Sequence, residues 1–134
     1  MALRLPRRLW QQMRRHVAAV SPQEACGLLA GRDGQAQAVY AVRNELVSPT
    51  HFRMDAAEQW AAFQAMEAEG LELLAIYHSH PNGPAGPSQQ DILNAGYPGV
   101  AHLIWSPVGD EWACRAFLLD TGAKIELELQ LQDE

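Results

Sequence analysis

Cysteine is scarce in this chain. Cys26 and Cys114 are the only two in 134 residues, and they form no Cys-x-x-Cys pair. That excludes a disulfide framework and fits a reducing, cytoplasmic compartment, although a single Cys26–Cys114 bridge stays open. Long apolar runs are also missing. None approaches the roughly 18 residues of a membrane helix, so no membrane partner is expected. No acid occurs before Glu24, and residues 1–23 carry five arginines. No apolar signal core follows them. An arginine-rich, acid-free start also suits an organelle presequence, but the same residues make a sensible first helix. Basic residues are few elsewhere, and the net charge is −6. Such a balance is poor for nucleic-acid binding and predicts no nucleic-acid partner. The basic helix is either a contact surface for an acidic partner or a solvated face. Internal repeats, low-complexity stretches and linkers are absent. Residues 1–134 therefore read as one domain, long enough to bury a core without disulfides. With 48% hydrophobic and 19% charged residues, that domain is globular rather than disordered.

What is present reads as alternating elements. Residues 6–20 form a helix with Leu9, Met13, Val17 and Val20 on one apolar face, stopped by Ser21-Pro22. Two strands, 25–31 and 36–43, flank the Arg32-Asp33-Gly34 turn as a hairpin. Residues 44–54 are irregular, with a short extended piece at 52–54. Asp55 and Glu58 resemble a capping box opening a helix to Glu69, with Gly70 as terminator and Trp60 and Phe63 on its core face. Leu71 to Tyr77 is apolar on both alternating sets, as a strand covered on both faces is. A Pro/Gly-rich loop, a short helix from Ser88 to about Ala95 and strands 100–105, 111–119 and 124–131 follow. The last alternates apolar and polar residues, which predicts a half-exposed strand near an edge. The expected fold class is α/β, one domain with a mixed β-sheet flanked by helices.

Chemistry concentrates at His78-Ser79-His80 and at Asp91. Alternation along the strand ending there points His78 and His80 the same way, where two imidazoles can chelate one ion. Ser79 faces the other side, for packing or a supporting hydrogen bond. Asp91 offers a carboxylate oxygen from the short helix, and two nitrogens with one oxygen suit Zn2+, the fourth position left to water. Ser88-x-x-Asp91 also matches a capping box, in which both side chains serve only the helix end. A structural zinc would fill its fourth position from the protein, with Cys26 or Cys114 available in principle. A hydrolytic one needs a general base, and Glu24, opening a buried strand, is the best candidate. An acid there is otherwise a solvated strand end. His102 stands apart in sequence and reads as ordinary.

Pro22-Gln23-Glu24-Ala25-Cys26-Gly27-Leu28-Leu29, then His78-Ser79-His80-Pro81 and Pro87-Ser88-Gln89-Gln90-Asp91, resembles the JAMM, or MPN-plus, zinc metalloproteases. Their pattern is a distant upstream Glu, His-x-His-Pro, ten residues and Asp, with Ser three before the Asp. Phe52-x-Met54-Asp55 resembles the bacterial branch. Ala75 departs from the glycine many members carry there. The likeness, running from about Leu9 to Leu119, implies a cytidine-deaminase-like α/β fold and amide hydrolysis. It implies one zinc per chain on His78, His80 and Asp91, with Glu24 as base for the attacking water and Ser88 as donor to the developing oxyanion. Lacking room for the segments that grip ubiquitin, the chain resembles the compact prokaryotic members, some of which process ubiquitin-like or sulfur-carrier proteins at a C-terminal Gly-Gly. The alternative is a non-catalytic MPN-type scaffold, whose ligands are eroded where these are intact. A nucleobase deaminase would need His-x-Glu and Pro-Cys-x-x-Cys, which are absent. Oligomeric state is unknown from sequence.

Overall fold

Strand β4 (Glu72–Ser79) is apolar on both faces because both are covered, as its sequence predicts. In the computed structural model, which describes residues 2–120 and 122–133, Ala75 and Tyr77 face one core and Ile76 another. The first core lies under helix α1 (Arg7–Val20), which buries Leu9, Met13 and Val17. The second lies under helix α2 (Ala56–Ala68), which contributes Ala62 and Met66. Strands β2 (Cys26–Arg32) and β3 (Gln35–Val42) form the expected hairpin, and β2 also pairs antiparallel with β4. Asp33 and Gly34, at φ 53° and 76°, make the tight turn between them. Strand β5 (Ala101–Val108) runs parallel to β4. Strands β6 (Glu111–Leu118) and β7 (Ile125–Gln132) follow antiparallel.

Four expectations are corrected. Residues 2–6 form a strand, β1 (Ala2–Pro6), that the sequence reading missed. It pairs parallel with β7 along its whole length and touches β3 at Arg4, so the mixed sheet closes on itself in the order β1-β3-β2-β4-β5-β6-β7. Leu3 and Leu5 are buried, but five residues are too few for alternation to stand out. Strand β7 consequently has neighbours on both sides and is no edge. On α2, Trp60 is 66% exposed while Phe63 is half-buried. At about 100° per residue Trp60 lies opposite Ala62, around which the buried stripe is centred. The capping box at Asp55 is also only half formed. Its side chain accepts from the Glu58 N–H at 3.0 Å, but Glu58 accepts from the Arg43 N–H instead.

Gly27 lies opposite Tyr77 across the β2–β4 ladder, where the Tyr77 ring occupies the space a side chain would need. A Cβ on Gly27 would sit 2.3 Å from that ring, which is fully buried and hydrogen-bonded through its hydroxyl to His16 at 2.7 Å. Gly27→Ala is therefore expected to cost about 1–3 kcal/mol by overpacking. A thermal melt checks this, and an unchanged Tm would show that the ring yields freely.

Candidate metal centre

The site forms where β4 ends, because alternation and three loop segments bring its groups to one place. His78 and His80 leave the strand end on the same face, 1% and 6% exposed. Their Nε2 atoms are 3.1 Å apart, and each is 3.2 Å from Oδ2 of Asp91. Asp91 arrives on helix α3 (Gln89–Leu93), folded back by the Pro/Gly-rich loop. Glu24 precedes β2, is 4% exposed, and offers a carboxylate oxygen within 4.8 Å of both imidazoles.

Each group is held by its surroundings. The His80 Nδ1–H donates to the Pro84 carbonyl at 2.9 Å, which turns the Nε2 lone pair toward the cluster. Phe52 stacks on His78 at 4.6 Å between ring centroids. Nδ1 of His78 is buried without a hydrogen-bond partner among the described residues. Ser79, fully buried on the opposite face as alternation requires, accepts from the Ala25 N–H at 2.8 Å and so fixes the chain beside Glu24. Ser88 and Asp91 do form the reciprocal capping box: Ser88 Oγ accepts from the Asp91 N–H at 3.0 Å, and Asp91 Oδ2 accepts from the Ser88 N–H at 2.8 Å. Capping and proximity to the imidazoles are not alternatives here, since the same Oδ2 serves both. Because Ser88 Oγ accepts from the helix, its own hydroxyl proton stays available to a neighbour.

The electrostatics follow from burial and from this crowding. Burial, opposed by His80 and assisted by Asp91, lifts the Glu24 carboxyl to about 7. Burial pushes His78 below the ordinary imidazole value. Burial also opposes charge on His80, but Asp91, the Pro84 carbonyl and Glu24 outweigh it and raise the value. Asp91 is lowered against its own desolvation by hydrogen bonds from the two histidines.

Three converging ligand atoms fit a cation by a simple test. In a tetrahedral site with bonds of about 2.0–2.1 Å, neighbouring ligand atoms lie about 3.3–3.4 Å apart. The observed 3.1, 3.2 and 3.2 Å triangle is close to one face of that tetrahedron. Both cysteines are free: Cys26 bonds to the Val42 carbonyl at 3.4 Å and Cys114 packs against the core on the α1 side.

Glu24, Ser88, His78, His80 and Asp91 all line one cleft of about 690 Å³. Its wall is the irregular segment 44–54, with Leu46, Thr50, His51, Phe52 and Arg53 facing the space. His102 lines it too, 8% exposed on β5, and its imidazole is lowered by burial and then by His78. Reading it as ordinary missed this placement. Only the parallel pairing of Ile76 with His102 puts it on the face of His78, and nothing in the spacing announces that register.

A family model described as prokaryotic homologs of the JAB domain matches residues 6–119. The chain is 41% identical over 128 residues to a probable TtuB-protein conjugate cleaving protease of Thermus thermophilus, covering 95% of this chain and 82% of that protein. It is 34% identical over 111 residues to a desampylase of Pyrococcus furiosus, covering 81% and 76%. Among solved structures, protein DSY2949 of Desulfitobacterium hafniense superposes with a TM-score of 0.88 at 35% identity, covering all of this chain and 94% of that one. With a match running from Pro6, just before α1, to Leu119, just after β6, the chain belongs to the prokaryotic JAB-domain family, the compact prokaryotic JAMM type.

Proposed function

We propose that this chain is a zinc-dependent peptidase that cuts the peptide or isopeptide bond after the C-terminal Gly-Gly of a ubiquitin-like or sulfur-carrier protein. The observation that carries the reading is the triangle of His78 Nε2, His80 Nε2 and Asp91 Oδ2, with a buried carboxylate beside it in an open cleft. His78, His80 and Asp91 would hold one zinc ion. Bound there, it supplies Lewis-acid polarisation of the scissile carbonyl and a more acidic water.

The remaining work falls to the chain itself. Glu24 takes a proton from the attacking water and delivers it to the leaving amine, a task suited to a carboxylate whose burial raises its pKa into the neutral range. Ser88 donates its free hydroxyl proton to the carbonyl oxygen as charge develops. Segment 44–54 and the stretch carrying Asn94 and Tyr97 line the cleft, which would take an extended tail whose terminal glycines carry no side chain. Relatives named for cleaving TtuB–protein conjugates and for desampylation support a conjugated small protein as substrate. A cytoplasmic setting and one domain over residues 1–134 belong to the same reading. The two free cysteines agree with that setting, and no helix among the described residues is long and apolar enough to cross a membrane.

The test offers zinc-loaded enzyme a folded carrier protein bearing a C-terminal extension after Gly-Gly, and the terminal peptide alone. Recognition of the folded carrier is expected to favour the protein by about tenfold or more in kcat/KM, worth about 1.4 kcal/mol. Equal rates on both would make the enzyme a tail-reading peptidase, and no turnover of either would defeat the proposal.

A further inference from the structure

We infer that Asn44 is a positioning residue, tying Glu24 to the segment that walls the cleft. Its catalytic consequence rests on the proposed peptidase reading; its geometry does not. Asn44 follows β3 and is 9% exposed. Its amide fills four hydrogen bonds. Nδ2 donates to the carbonyls of Glu24 at 3.1 Å and His51 at 3.0 Å, while Oδ1 accepts from the N–H groups of Leu46 and Arg53, both at 3.1 Å. Two carbonyls at one end and two N–H groups at the other leave a single orientation of the amide that satisfies all of them. This side chain joins the two ends of the segment, with Ser48 Oγ accepting from Thr50 and His51 between them.

Glu24 needs such a tether because the sheet does not hold it. The pairing of β2 with β4 is continued by Ala25, whose N–H and carbonyl engage Ser79, and it stops short of Glu24. The main-chain groups of Glu24 turn instead to the wall segment. Its N–H donates to the Ser48 carbonyl at 2.8 Å and its carbonyl accepts from Asn44. A general base must stay within hydrogen-bond reach of the proton it takes, and a misplacement of about 1 Å can cost about a hundredfold. Asn44 removes that freedom from the backbone of Glu24. It also makes the base part of the cleft wall, so a tail pressing on Thr50, His51 or Arg53 bears on the body that carries Glu24.

Asn44→Asp separates this role from the folding of the segment. One carboxyl oxygen can still accept from Leu46 and Arg53, while the other meets the Glu24 and His51 carbonyls with at most one proton, where the amide gives two. Asn44→Ala, which buries no charge, serves the same comparison where the aspartate proves too costly to fold. Amide hydrogen exchange on metal-free protein is expected to speed up about tenfold or more at Glu24, with Leu28 and Leu29 of β2 little changed. In the zinc-loaded variant kcat should fall about tenfold or more with KM nearly constant, and zinc content should be retained. In a Glu24→Gln background the Asn44 change should cost nothing further, because there is no base left to position. Unaltered exchange at Glu24 would overturn the tether whatever the activity. Loosened exchange with full kcat, or an equal fold loss in both backgrounds, would overturn the positioning role. A wild type with no turnover would sink the peptidase reading instead, and the exchange result would still decide the tether.

Discussion

Glu24→Gln is expected to lower kcat by about a hundred- to ten-thousandfold while leaving fold and zinc content in place, the range that a positioned general base contributes. The amide has the shape of the carboxyl and can occupy the same buried position, 4% exposed, with its main chain still held by Ser48 and Asn44. What it cannot do is take a proton. The metal triangle is made by other residues, so its occupancy should not change. The pH dependence has a definite sign. As the proposed base Glu24 works ionised, so activity is expected to rise with pH through its pKa, which burial sets at about 7 in the metal-free chain and a bound cation would lower. That acid limb should be absent from whatever activity Glu24→Gln retains. Stability runs the other way. A carboxyl whose pKa is raised by folding loses stability as pH rises through the folded value, so metal-free Glu24→Gln should melt no lower than wild type above pH 7. Turnover equal to wild type at matched zinc content would remove Glu24 from the chemistry.

The parts of this molecule that were legible in sequence are those where one local pattern determines one arrangement. Apart from Glu72, Leu71 to Tyr77 is apolar on both alternating sets, and β4 is buried on both faces from Ala75 onward. His78 and His80 are two apart on a strand, so they share a face, and Ser79 between them turns away to the Ala25 N–H. The motif placed Glu24 near the strand end even though 53 residues separate it from His78. What stayed hidden depended on partners far along the chain. Strand β1 is defined by β7, more than a hundred residues away, and five residues hold too little periodicity to be noticed alone. Trp60 and Phe63, three apart, share a helix face by spacing, but the core touches α2 along Ala62 and Met66, which leaves Trp60 in solvent. Segment 44–54 has no period at all, because much of its order comes from side chains, Asn44 and Ser48, bonding to the backbone of others. His102 entered the cleft through the register of a parallel pair that sequence does not specify.

Removing a group of the triangle should abolish zinc binding and, with it, all hydrolysis. His80→Ala deletes a nitrogen whose direction is fixed by the Pro84 carbonyl, leaving only His78 and Asp91 of the triangle. Asp91 needs a subtler change, because it also caps α3: Asp91→Ala would confuse a lost ligand with a frayed helix. Asp91→Asn separates the two. Its side-chain oxygen can still accept from the Ser88 N–H, keeping much of the cap, but the negative charge that opposes a dication is gone. Elemental analysis after gel filtration should find about one zinc per wild-type chain and far less than one in both variants. A second reading comes from melting. If zinc binds the folded triangle and not the unfolded chain, as proposed, then at 100 times its dissociation constant it should stabilise wild type by about 2.7 kcal/mol. Chelator should remove that increment from wild type and change neither variant. If Asp91→Asn kept wild-type zinc and the chelator-sensitive shift, Asp91 would be a helix cap alone. The same result in His80→Ala would dissolve the metal centre as described.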